Sequence, residues 1–211
     1  MVRRASFWLI APYATWMALM TALPATAACY AIRTVVVAAL LAAGWARKSD
    51  ESDKRDESDL SDDCRFGLLS RFCPLIFALA IGLAVFLVWI LPEQFDWAWY
   101  RDWCIVGEGG TKAVAEASGA LIALRLVGSA FVIPVAEELF FRKWLIGFAG
   151  FAWMVALFAV EHDRWLVGAI AGAVYGVLYL RRGLLAAIVA HATTNLVLGL
   201  WVLRTGQWQF W

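Results

Sequence analysis

Nineteen consecutive residues, Cys73 to Leu91, carry no charged side chain. As a helix rising about 1.5 Å per residue, such a run nearly spans the roughly 30 Å hydrocarbon core of a bilayer. A second uncharged stretch, Ala5 to Ile32, is longer still. One run of this kind could be the core of a soluble domain, so composition decides. Of 211 residues 63% are apolar and 17% charged, against about 45–50% and about 25% in soluble domains, too few polar groups to cover a surface. The chain is built for lipid.

Charge placement sharpens this. Lys and Arg number 18 and Asp and Glu 17, so there is no basic excess for nucleic acid, which is not an expected partner. The segment Arg47 to Arg71 is dense in both signs, and within it residues 48–63 are nearly free of apolar side chains, which makes a disordered loop by composition. Cys29, Cys64, Cys73 and Cys104 show no C-x-x-C spacing, and neither a disulfide framework nor a thiolate metal site is expected. Arg3 and Arg4 before an apolar run resemble a signal peptide, but the run is too long for an h-region. It is read as a retained first span.

The fold class expected is all-α, a polytopic membrane helical bundle of about seven transmembrane helices, near 5–23, 26–46, 72–91, 127–147, 150–162, 165–180 and 183–204. The layout divides into N-terminal spans with their loop (1–126), a core (127–204) and an interfacial tail (205–211). Trp97, Trp99, Tyr100 and Trp103 among charges read as a headgroup-level segment, as do Trp208, Phe210 and Trp211. Residues 113–126 read as an interfacial or partly inserted helix that sets Arg125 at the boundary and not in hydrocarbon. Arg33 must face protein or snorkel. Gly168, Gly172 and Gly176 form a small-residue face for close helix packing, with no catalytic meaning. Arg3/Arg4, the 47–71 loop, Arg142/Lys143 and Arg181/Arg182 all fall on one side, the cytoplasmic one by the positive-inside rule.

Charge at bilayer depth costs at least about 2.5–3.5 kcal/mol per group, so ionisable residues there mark function by default. They are few. Glu137, Glu138 and Arg142 lie on one span, His162 ends the next, and His191 and Asn195 lie on the last; these two histidines are the only ones in the chain. Glu138 and Arg142 are spaced i,i+4 in the favourable order for an ion pair. Glu137, rotated about 100° from Glu138, has no partner on its own helix. His191 and Asn195, also i,i+4, present imidazole and amide to one side, as an oxyanion hole requires. His162 is the third wall, holding a water beside Glu137. By helical rise Glu137 stands about 8 Å above Arg142, His191 about 13 Å above Arg182 and His162 about 18 Å from the turn at Gly150, depths at which all three can meet.

Each element has a plainer reading. Glu138–Arg142 alone would be a structural ion pair, and a lone His an interhelical hydrogen-bonder. Joint occurrence favours a site. Zinc is a weaker reading, since no H-E-x-x-H is present and an amide suits an oxyanion better than a metal; no cofactor is expected. A proton-coupled transporter would show repeated halves or broken helices, which are absent. A catalytically idle immunity or scaffold protein is opposed only by retention of every motif residue.

The motifs E-E-x-x-x-R (Glu137, Glu138, Arg142), F-x-x-x-H (Phe158, His162) and H-x-x-x-N (His191, Asn195), in that order, resemble the CAAX-protease and bacteriocin-processing family of glutamic intramembrane proteases. The resemblance covers about residues 127–204. It implies Glu137 as general base, His162 as water-orienting partner, His191 with Asn195 as oxyanion hole, and Glu138 and Arg142 as support. The implied activity is endopeptidase cleavage near the C-terminus of a membrane-anchored protein or peptide, either a CAAX-type tail or a bacterial sorting tail. The bilayer is the expected partner and a bacterial inner membrane the expected location. Only 19 residues separate Arg142 from His162, room for little more than a tight turn.

Overall fold

A computed structural model describes the backbone of residues 2–52, 68–106 and 117–210. The described residues are almost entirely helical. The helices are α1 (Val2–Ala22), α2 (Ala27–Ser52), α3 (Leu68–Gln94), the short α4 (Ala98–Cys104), α5 (Gly119–Ala149), α6 (Phe151–Val160), α7 (Trp165–Arg182) and α8 (Leu184–Thr205). A helix lies at each of the seven positions expected for spans. Four of them, in α2, α3, α5 and α8, are long and apolar enough to cross a membrane. Large apolar side chains such as Leu79, Leu83 and Leu87 face outward from α3, as they can where the surrounding solvent is hydrocarbon. The chain is an all-α membrane bundle.

α8 lies at the centre, packed on α3, α7 and α5, while α1 and α2 brace the far side of α5. Arg33 faces protein. Its guanidinium donates to the carbonyls of Leu19, Leu23 and Pro24, at and just beyond the end of α1.

Three sequence expectations need revision. The loop expected at 47–71 coincides with residues 53–67, outside the described residues, and its flanks at 47–52 and 68–71 extend α2 and α3. Of the helix expected at 113–126, residues 113–116 lie outside the described residues, and from Gly119 the chain is already the first turn of the 31-residue α5, not a helix of its own. Arg125 is accommodated there over the Tyr30 ring, 4.4 Å from its centroid. Phe210 does not settle at headgroup level. It is buried in a 3₁₀ turn, Trp208–Phe210, beneath the guanidinium of Arg164, which is itself ion-paired with Glu93.

α5 is not uniform. It widens into π-helical turns at Gly128–Val132 and Glu138–Leu145. The first has a visible cause in Pro134, which offers no N–H and whose ring crowds the carbonyl four residues back. The Ile133 N–H bonds the Gly128 carbonyl, an i→i−5 step. In that register the next donor, for the Ser129 carbonyl, would be Pro134.

Candidate active site

The Ser129 carbonyl is satisfied from across the bundle: the Asn195 side-chain N–H donates to it at 2.9 Å. A carbonyl partner fixes the amide orientation, since a flipped amide would set oxygen against oxygen. One of the two amide protons is thereby used, and the other remains for the cavity that Asn195 lines.

Eight residues beyond Ser129 in α5 comes the acidic pair, Glu137 and Glu138. Glu138 and Arg142 are fully buried and ion-paired, Nε to Oε2 at 3.0 Å. The other oxygen of Glu138 faces His191 Nδ1 at 2.9 Å. Glu137, 6% exposed, approaches the opposite nitrogen of the same ring, Oε2 to Nε2 at 3.6 Å. One imidazole therefore stands between two adjacent carboxylates. Because Glu138 is already paired with Arg142 it is an acceptor, so the proton on His191 sits at Nδ1 and Nε2 is turned to Glu137.

His162 follows α6, and its Nδ1 donates to the Phe158 carbonyl at 2.7 Å, leaving Nε2 as the open nitrogen. Its ring meets Phe158 at 4.7 Å and the edge of Trp89 at 5.3 Å. Phe158 ties the two halves together, lying 5.9 Å from the His191 ring and beneath the Arg142 guanidinium at 4.3 Å. A cavity of about 200 Å³ is lined by His162, His191 and Asn195 together with Ser129, Tyr175 and Phe210. Glu137 is not among its lining residues; it stands beside the wall, its Oε2 3.6 Å from His191 Nε2.

The small-residue face of α7 has a role that its spacing alone did not suggest. A Cβ on Gly168 would meet His162 Cβ at 3.2 Å, and one on Gly172 would meet the Phe158 ring at 3.0 Å. The stripe seats the two residues that form the His162 wall.

Several contributors carry no motif. Tyr175 stacks on His191 with centroids 4.8 Å apart and donates its hydroxyl to Thr194 at 2.6 Å; Thr194 donates in turn to the Gly82 carbonyl at 2.8 Å. That last bond needs α3 and α8 in near contact, and a Cβ on Gly82 would lie 2.4 Å from the Ala190 carbonyl oxygen. Tyr13 from α1 lies within hydrogen-bonding reach of Glu161, which also acts electrostatically on Glu137. Among the described residues no group of three His, Cys, Asp or Glu is placed to hold a metal ion.

An all-helical membrane bundle with a buried centre of carboxylates, imidazoles and an amide is the class this fold and site define. Residues 119–197 match the family model described as type II CAAX prenyl endopeptidase Rce1-like. The matched segment contains Glu137, Glu138, Arg142, His162, His191 and Asn195. No curated protein and no solved structure matches the chain.

Proposed function

We propose that this chain is a glutamic intramembrane endopeptidase that hydrolyses a peptide bond near the C-terminus of a membrane-anchored protein or peptide, in a bacterial inner membrane. The family it matches is one of proteases. The observation that carries the reading is His191, held by Glu138 on one nitrogen and facing Glu137 with the other, on the wall of a cavity shared with His162 and Asn195.

In this mechanism Glu137 removes a proton from a water that His162 Nε2 orients, and the hydroxide oxygen bonds to the scissile carbonyl carbon. The proton gained by Glu137 lies across a 3.6 Å gap from His191 Nε2, a distance one small rotation or one bridging water closes. Passing it over gives an imidazolium stabilised by Glu138, as the carboxylate of a hydrolytic triad stabilises its histidine. The new Nε2–H and the second Asn195 N–H then face the oxyanion. On collapse the C–N bond breaks and the same proton returns to the leaving amine, so no proton is gained or lost.

The test is mass spectrometry of membrane-protein C-termini from cells carrying the wild-type chain or Glu137→Ala. A set of shortened tails present only with the wild type is expected. Identical tails in both would end the proposal.

A further inference from the structure

Away from the candidate active site, a groove of about 410 Å³ opens on the outer surface between α3 and α7, within the roughly 300–1,000 Å³ typical of small-molecule sites. Phe77 and Ile81 of α3 and Val174 and Val177 of α7 form its walls, and Arg181 and Arg182 close one end.

Two properties separate this groove from ordinary lipid-facing surface. Its length along α7, from Ala173 to Arg182, is about 14 Å by helical rise, close to half of the roughly 30 Å hydrocarbon core and hence one leaflet deep. Its apolar length also ends in two exposed cations at the last turn of α7. The Arg182 guanidinium stands 5.6 Å from the centroid of the Phe77 ring, over the mouth of the groove. Among the described residues no carboxylate pairs with either arginine. An apolar slot one leaflet deep under a pair of exposed guanidiniums is complementary to a molecule with a fatty chain and an anionic head, and guanidinium matches a phosphate in both charge and geometry.

We propose that this groove binds an anionic glycerophospholipid, with its phosphate on Arg181 and Arg182 and one acyl chain between Phe77 and Val177. A choline lipid fits the slot equally well, but its own cation cancels the attraction. The site is independent of catalysis and stands or falls apart from the protease reading.

The experiment is native mass spectrometry of the purified full chain in neutral detergent, incubated with equal amounts of phosphatidylglycerol and phosphatidylcholine of identical acyl composition. Preferential retention of phosphatidylglycerol is expected. The exposed-site double variant Arg181→Gln/Arg182→Gln should lower that preference by about tenfold or more, the scale of two cations acting on an anionic lipid. Val177→Trp, which fills the slot, should lower retention of both lipids while the preference persists in what remains. Equal retention of the two lipids by the wild type, an unchanged preference in the Gln pair, or undiminished binding by Val177→Trp would each overturn the proposal.

Discussion

Glu138 Oε1 and His191 Nδ1 lie 2.9 Å apart across 53 residues of chain, and this contact joins the ion pair of α5 to the histidine of α8. Glu138 is thus a bridge: one oxygen holds Arg142 and the other sets which nitrogen of His191 carries the proton. Glu137, its neighbour in sequence, has no such structural duty.

The two glutamates should therefore fail differently. Glu138→Ala strands the fully buried Arg142 guanidinium, a loss of about 3–5 kcal/mol for an uncompensated buried charge, and should sharply lower the detergent-solubilised thermal midpoint. Glu137→Ala should keep that midpoint and lose about 10²–10⁴ in cleavage rate, the range for a missing general base. Equal thermal stability in the two variants would contradict the assignment.

Asn195→Ala should lower turnover by about 10²–10³, the usual effect of one oxyanion donor. Asn195→Asp should do no better, because a carboxylate cannot donate to the Ser129 carbonyl that orients the amide. Kinetics on a cleavable reporter peptide would decide, and an active Asp variant would show that donation is not what Asn195 supplies.

Pro134→Ala makes a less intuitive case. Restoring an N–H at position 134 gives the Ser129 carbonyl a donor within its own helix and lets the π turn close. Stability should rise, by up to the roughly 3 kcal/mol that an interior proline costs, while turnover falls because Asn195 loses its anchor. A variant that gains stability with full activity would exclude this role for the turn.

Gly168→Ala places a methyl group 3.2 Å from His162 Cβ. A displacement of a few tenths of an ångström at a water-orienting group should lower kcat by about tenfold with little change in KM, given that about 1 Å costs 10²-fold. A change confined to KM would instead place His162 in substrate binding.

Strong chelators should leave the activity of the purified protein unchanged. Glu138 is occupied by Arg142 and His191, and a guanidinium fixed this close opposes a divalent cation electrostatically. Loss of activity on chelation and its recovery with zinc would favour a ligand role for the histidines.

The spans in α2, α3, α5 and α8 were legible because hydrocarbon imposes a length and an apolar requirement that each of them meets alone. The polar centre was legible for a related reason: charge in lipid is costly enough that Glu137, Glu138, Arg142, His162, His191 and Asn195 stand out against Leu and Val. Tyr175, Thr194 and Tyr13 did not stand out. A Tyr or Thr on an apolar helix is unremarkable until its neighbour is known, and those neighbours lie on other helices. Phe210 was misplaced for the opposite reason, since a Trp-flanked aromatic near a span end carries the composition of an interfacial belt whichever way it turns. Glu161 carries no local signal to reveal that it faces Tyr13.

The linkers among the four C-terminal helices are unequal. α5 passes to α6 through Gly150 alone, and α7 to α8 through Gly183 alone, each with positive φ. Alternating helix direction puts both of these single-residue joints on the same side of the bilayer, where they leave no slack. The α6–α7 connection, residues 161–164, is the longest of the three and follows a helix of ten residues, which rises only about 15 Å. His162 therefore sits on the one joint of the three that is longer than a single residue, while Glu137 and His191 stand within helices joined to their neighbours by one glycine.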